Sequence, residues 1–265
     1  MNFPHIHPIA FSIGPLDIRW YSLSYIAGIL ISWIIVRKFL INSNKNISKE
    51  FIDELLNYAV IGIIVGGRLG YVLFYNFEYY LFSPIEILKI WKGGMSFHGG
   101  LIGIIIAIII YSNKRKINYL EITDMIALVS PIGIFFGRIA NFINGELFGR
   151  ITYSKFGIIF PNGGDLPRHP SQLYEAFFEG IAIFLILNLL FFFSKFRFYK
   201  GFFSGMFLFL YGFFRFFVEY FREPDSQIGY FFEFVTLGQI LCIPMIILGI
   251  FIISKVIKKQ KHAKS

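Results

Sequence analysis

The chain has 265 residues, 56% of them hydrophobic and 15% charged, and its mean hydropathy of +0.64 excludes a water-soluble globular α/β domain. Its net charge of +9 does not point to nucleic acid, because the basic residues sit in short clusters between apolar runs, as membrane topology requires. Cys242 is the single cysteine, which excludes an intrachain disulfide, a CxxC pair and a thiolate metal site.

The N-terminal stretch from Met1 to Leu16 has no Lys or Arg and no small-residue cleavage site, so the first apolar run is expected to persist as a membrane span rather than as a signal peptide. Seven spans follow from the apolar runs, at about 20–41, 52–75, 94–112, 120–140, 173–194, 201–218 and 236–257. Each is expected to be helical, since a helix satisfies its own backbone groups in lipid. Alternate connections carry Arg37, Lys38, Lys45 and Lys49, then Lys114, Arg115 and Lys116, then Lys195, Arg197 and Lys200, then the lysine-rich tail ending with Lys264. The opposite connections carry Arg19, Lys89, Lys92, Arg150, Lys155, Arg168 and Arg222, a bias of fifteen to seven. That bias places the N-terminus outside and the C-terminus in the cytoplasm. The expected fold is an all-α integral membrane protein of about seven transmembrane helices with a small periplasmic head. The whole of 1–265 reads as one polytopic membrane domain, with 141–172 as the head insertion between spans four and five.

Between spans two and three, Ser83 to Lys92 sets Ile85, Leu88 and Trp91 against Glu86 and Lys89, which suits a short helix in the headgroup layer. The glycines of Gly62-Gly66-Gly70 and Gly133-Gly137 fall at the spacing of close helix packing. The loop 141–172 is long and punctuated by Pro161, Gly163, Gly164 and Pro167, a composition that often carries function.

With this orientation, the polar residues of the spans collect at one depth, toward the outer face. Tyr25, Arg68 and His98 lie there on the first three spans; Arg138 and Asn141 end the fourth; His169, Gln172 and Glu175 begin the fifth; Tyr211, Arg215 and Glu219 end the sixth. A channel or alternating-access transporter would need polarity at the midplane or on both sides. One-sided polarity fits chemistry on lipid headgroups. Arg138 and Arg215 are the pair suited to a lipid phosphate, because the guanidinium fork binds two phosphate oxygens and stays charged. The competing use of each is to snorkel or to pair with a carboxylate, and Glu219 lies one turn from Arg215; the same alternative stands for Arg68. His98, flanked by Gly93-Gly94 and Gly99-Gly100, is either a proton acceptor or a structural hydrogen-bonder at a helix start. His169, in a proline-bounded turn, has a structural explanation as well. The sequence has no HExxH, GxSxG, paired-aspartate or His/Cys metal motif, so no metal and no cofactor is expected.

Six blocks, in order, carry a resemblance: Phe11–Pro15 (FSIGP), Gly66–Asn76 (GGRLGYVLFYN), Gly93–Gly100 (GGMSFHGG), Gly137–Glu146 (GRIANFINGE), Arg168–Glu175 (RHPSQLYE) and Tyr211–Glu219 (YGFFRFFVE). They span about Ile9 to Pro244 and closely resemble the bacterial prolipoprotein diacylglyceryl transferases. The resemblance implies transfer of the diacylglyceryl group of phosphatidylglycerol to the lipobox cysteine of a prolipoprotein signal peptide, at the outer face of the bacterial inner membrane. The membrane bilayer is its other partner. The family's essential positions fall on Tyr25, His98, Arg138, Asn141, Glu146, Gly149, Arg215 and Glu219. The expected catalytic residues are His98, Arg138 and Arg215; Tyr25, Arg68, Asn141, Glu146, Gly149, Tyr211, Glu219 and His169 are expected to bind substrate. Two departures are local: the loop after Gly149 is shorter than in longer members, and Ser22 stands where a glycine is frequent. A lipid-binding scaffold or lipid transporter would also use headgroup arginines but has no need of His98. A CDP-alcohol phosphatidyltransferase would need paired aspartates that this sequence lacks.

Overall fold

A computed structural model describes residues 1–4, 6–14, 16–40, 47–224, 230–231 and 235–262; Pro15, Lys45 and Lys264 lie outside the described residues. The chain divides into two compact units, one formed by Met1–Ile35 with Asp124–Ser265 and the other by Val36–Thr123.

In the unit Val36–Thr123, α2 (Lys49–Tyr75) starts at Ser48, whose side chain accepts a hydrogen bond from the Phe51 amide. After the short helix α3 (Phe77–Phe82), two 3-10 turns, Pro84–Leu88 and Ile90–Lys92, lead to α4 (Phe97–Arg115). The segment expected as a headgroup-layer helix therefore winds more tightly than an α-helix. With about three residues per turn, Ile85, Leu88 and Trp91 stack along one edge and Glu86, Lys89 and Lys92 along the next. The first edge is 72–76% exposed, and on the second Lys89 and Lys92 both pair with Glu86, holding its carboxyl below the usual carboxylate range. Helices α2 and α4 pack backbone to backbone. A Cβ on Gly66 would lie 2.4 Å from the Gly99 carbonyl oxygen and one on Gly103 2.0 Å from that of Gly62, so the first glycine triplet is a packing seam.

In the other unit, an antiparallel hairpin of β1 (Ile9–Ile13) and β2 (Leu16–Arg19) feeds α1 (Trp20–Ile35). This ribbon was not expected from the apolar pattern. Its turn uses Gly14 at φ +58°, and Ser12 donates to Asp17 across it at 2.7 Å. Helix α5 (Tyr119–Ile143) runs on from the first unit into this one. Next come α6 (Ser171–Glu175), a π-helical segment Ala176–Ala182 and α7 (Ile183–Phe193), which together make one continuous helix Ser171–Phe193. Helices α8 (Phe202–Val218) and α9 (Leu237–His262) follow, with the two-residue strands β3 (Tyr230–Phe231) and β4 (Val235–Thr236) between them.

A Cβ on Gly28 of α1 would lie 3.1 Å from the Gly133 Cα, whereas one on Gly137 would meet nothing within 4 Å. Of the second glycine pair, Gly133 thus belongs to a packing seam with α1, and Gly137 borders open space. At the far end of α5, the Asp124 carboxylate accepts from the Gly201 and Ser204 amides at 2.6 and 2.7 Å and from the Ser204 hydroxyl at 2.7 Å. An acidic side chain from one helix thereby caps the start of another.

Among the described residues, six helices are long and apolar enough to cross a membrane: Trp20–Phe39, Lys49–Tyr75, Phe97–Arg115, Tyr119–Ile143, Ser171–Phe193 and Leu237–His262. The expected sixth span, 201–218, forms the apolar helix α8, whose 17 residues fall short of that length. The protein is a multi-pass, all-α integral membrane protein.

The loop between α5 and α6 is held by paired backbone rather than by helix. Ile158 and Arg168 exchange amide bonds of 2.8 and 2.9 Å, and the Ile159 amide donates to the Met1 carbonyl at 2.9 Å. Phe3 is buried with Ile158 and Phe160, flanked by Phe142 and Phe148. The N-terminal residues and the loop therefore lie on the same side of the membrane helices.

Candidate active site

The tight turn ending α5 builds the first part of the site. Gly145 at φ +64° and Leu147 at φ +57° are both left-handed, a conformation that a leucine adopts at a cost of about 1 kcal/mol. The two reversals turn Glu146 back onto its own helix, where its carboxylate accepts from the Asn141 amide group at 2.8 Å and from that of Asn144 at 3.4 Å. Gln172 donates to the Glu146 carbonyl at 2.6 Å and Ser171 to the Leu147 carbonyl at 3.0 Å, which locks the start of α6 onto this turn. Asn141 is buried, and Gln172 and Ser171 are fully buried.

That docking presents Glu175, and the π-helical turn that follows presents Glu179 four residues later. Both are completely buried. Glu175 bridges the two arginines singled out by sequence. Its Oε2 is 2.8 Å from Arg138 Nε and its Oε1 is 2.5 Å from Arg215 Nη1. Glu179 stands behind at 3.6 Å from Arg138 Nη2 and 3.5 Å from Arg215 Nη1. Glu219, one turn from Arg215, pairs with it at 2.8 Å and accepts from the Thr236 hydroxyl at 3.1 Å, while Arg222 approaches Glu175 at 3.7 Å. Three guanidinium groups thus face three carboxylates. The carboxylate alternative weighed for Arg138 and Arg215 is what the structure contains, and it leaves the arginines as the accessible members. Their side chains are 18% and 12% exposed, against 0% for Glu175 and Glu179.

Around this cluster, Tyr25 is half-exposed and its hydroxyl lies 3.2 Å from that of Tyr21, within electrostatic reach of Arg138 and Glu146. Tyr211 stacks on Phe207 and feels the charges of Glu179, Arg215, Arg138 and Glu175. On the same helices, Tyr174, Phe178, Phe213, Phe214, Phe217 and Phe221 wall an apolar groove of about 560 Å³. Val218 completes the lining, and no charged side chain takes part in it.

Three expected substrate-binding residues have other work in the structure. Arg68, in the unit Val36–Thr123, is almost completely buried and donates to the carbonyls of Ile87 (2.8 Å), Gly93 (2.5 Å), Gly94 (3.1 Å), Glu86 (2.7 Å) and Lys89 (3.4 Å). A guanidinium has five N–H donors, and five carbonyls occupy them, so Arg68 folds the 86–94 loop and keeps none for a lipid. Gly149 is a packing point: a Cβ there would come within 2.3 Å of the Phe221 carbonyl oxygen and 2.7 Å of His169. His169 packs between Tyr174 and Phe221 with Nδ1 3.2 Å from the Tyr174 hydroxyl, and burial lowers its pKa from the usual histidine range.

His98 belongs to the unit Val36–Thr123, exposed on the first turn of α4 after the Ser96 cap and edge-on to the Phe97 ring. Sequence reasoning passed over Glu179 and counted Arg222 only as a loop charge. The signal for Glu179 was present, since a second carboxylate one turn inside an apolar span requires a partner. Among the described residues no group of three His, Cys, Asp or Glu side chains is arranged to hold a metal ion.

A family model for prolipoprotein diacylglyceryl transferase matches residues 8–255. A Rickettsia felis protein named phosphatidylglycerol–prolipoprotein diacylglyceryl transferase is 56% identical over 253 residues, covering 96% of this chain and 98% of that protein. Proteins of the same name from Rickettsia canadensis and Rickettsia bellii are 56% and 55% identical over 249 and 255 residues, covering 94% and 96% of this chain and 96% and 97% of their own lengths. With the match running almost end to end, the chain belongs to the prolipoprotein diacylglyceryl transferase family.

Proposed function

We propose that this protein transfers the diacylglyceryl group of phosphatidylglycerol to the lipobox cysteine thiol of prolipoproteins, using Arg138 and Arg215 to hold the phosphate that departs. The observation that carries the residue assignment is the exposure pattern of the charge cluster. Glu175 and Glu179 are fully buried, whereas the side chains of Arg138 and Arg215 keep 18% and 12% of their surface exposed. An anion reaching these arginines meets positive charge, and the apolar groove walled by Tyr174, Phe178, Phe213, Phe214, Phe217 and Phe221 suits an acyl chain.

The product is a thioether. The cysteine sulfur attacks the glycerol carbon that bears the phosphodiester oxygen, and a C–S bond forms as that C–O bond breaks. The electron pair of the broken bond stays on the oxygen, so glycerol phosphate leaves, and the thiol proton passes to a base. Arg138 and Arg215 stabilise the charge that concentrates on the departing oxygen, an effect strengthened at a site of reduced dielectric. Removal of either arginine is expected to cost about a hundredfold or more in rate. A free thiol has a pKa near 8.5, so a base accelerates the reaction at neutral pH, and His98 is the candidate. Asn141 and Glu146 brace the turn after Arg138, and we assign Tyr25 and Tyr211 to orienting the headgroup. The lysine- and arginine-rich connections belong in the cytoplasm and the 141–172 head on the outer side of the bacterial inner membrane.

The test is transfer from phosphatidylglycerol to a synthetic lipobox peptide by the purified protein, alongside Arg138→Ala and a Cys→Ser peptide. Thioether product that disappears in both controls is the expected result. Absence of product from folded wild-type protein in phosphatidylglycerol bilayers would leave only lipid binding. His98→Gln turning over normally across pH would remove the base from the scheme.

A further inference from the structure

The two carboxylates behind the arginine pair are unequal. Glu175 touches Arg138 and Arg215 at 2.8 and 2.5 Å, whereas Glu179 stands at 3.6 and 3.5 Å from the same two groups. Glu175 is a brace, with one oxygen on each guanidinium. Glu179 holds both arginines by charge, in contacts at or beyond ordinary hydrogen-bond length. The next residue, Gly180, lies close against Phe135, where a Cβ would come within 2.7 Å, so the backbone that carries Glu179 is tightly packed. The Glu179 side chain itself is fully buried behind the two arginines.

That arrangement acquires a purpose from the charges of substrate and product, on the reading that the site takes phosphatidylglycerol. The lipid is a phosphodiester with one negative charge, and the departing glycerol phosphate is a monoester whose second ionisation falls near pH 6, so it carries about −1.5 to −2 at neutral pH. An unopposed arginine pair would bind the product more tightly than the substrate and stall after one turnover. We infer that Glu179 is a positioning residue that offsets this trap: its buried negative charge behind Arg138 and Arg215 weakens their hold on the doubly charged product and so drives its release.

The experiment measures steady-state transfer for wild type, Glu179→Gln and Glu179→Asp in phosphatidylglycerol bilayers with a lipobox peptide, with sn-glycerol phosphate added as inhibitor. In Glu179→Gln the inhibition constant for glycerol phosphate should fall about tenfold, with KM for phosphatidylglycerol falling less and kcat falling as release becomes limiting. Glu179→Asp, which withdraws the charge by one methylene, should move the inhibition constant in the same direction by a smaller factor. Should Glu179→Gln not yield a folded protein, the aspartate variant alone decides. An inhibition constant unchanged or raised in the folded variants would overturn the inference and reduce Glu179 to a packing group. Wild type that gives no thioether at all would instead overturn the transferase reading, so the two failures are told apart by the wild-type control.

Discussion

Replacing Glu175 by glutamine tests the cluster most directly, because the change is isosteric and removes only a charge. At 2.8 and 2.5 Å from Arg138 and Arg215, the carboxylate gains about 6–7 kcal/mol of Coulomb attraction from each guanidinium at an effective dielectric near 20. Burial to 0% exposure takes several kcal/mol of that back as lost hydration. What remains on truncation is the cost of leaving buried cations short of a partner, about 3–5 kcal/mol. Glutamine can accept from one arginine through its carbonyl, but its NH₂ then faces the other, so the bridge is lost on one side. For a chain of this size the loss should lower the melting temperature by about 10 °C. The two guanidiniums also lose the spacer that sets their separation, and a misplacement of about 1 Å at a charge-stabilising site costs about a hundredfold in rate. The assays are thermal melting in detergent and thioether formation from phosphatidylglycerol, with Glu175→Asp as the variant that keeps the charge and recovers part of both. Wild-type melting together with wild-type turnover in Glu175→Gln would show that the bridge neither stabilises the fold nor positions the arginines.

Arg68→Lys keeps the positive charge but offers three donors to five carbonyls, so the 86–94 loop should become sensitive to limited proteolysis almost as in Arg68→Ala; protection equal to wild type would return Arg68 to the list of headgroup ligands. Asp124→Ala removes three hydrogen bonds from the start of α8 and should cost about 3 kcal/mol in a melting experiment, while the folded fraction keeps its turnover; an unchanged melt would mean that the cap is not used. Burial lowers the pKa of His169, so the neutral ring favours the folded state. Its contribution is complete above the unfolded histidine pKa near 6.5 and is lost as acidification passes through the folded value. Wild type should therefore lose more melting temperature than His169→Gln between pH 7.5 and 5.5, and equal slopes would contradict that account.

The membrane helices were legible because span length is set by the bilayer, and an apolar run of that length has few alternatives. The hairpin Ile9–Ile13/Leu16–Arg19 was not, because Ile9–Ile13 is nearly all apolar and runs toward the first span, and the alternation of Leu16–Arg19 covers only four residues. The 3-10 winding of 84–92 was half visible: residues 85, 88 and 91 recur every third position, which an α-helix would spread over a wider face. At the site, depth along each span located Arg138, Arg215 and Glu219 correctly at one end of their helices, and the Arg215–Glu219 pair follows from a spacing of four. The same depth argument misassigned Arg68, because an intramembrane arginine needs acceptors, and sequence does not say whether they are a lipid phosphate or the carbonyls of a nearby loop. Glu175 shows the limit from the other side. Its neighbours in sequence give no sign that it will bridge two arginines 37 and 40 positions away, since that follows from docking α6 onto the Asn141–Leu147 turn through Ser171 and Gln172. A charge in an apolar span announces that a partner exists; the turn chemistry of Gly145 and Leu147, which aims one helix start at the end of another, decides which partner it is.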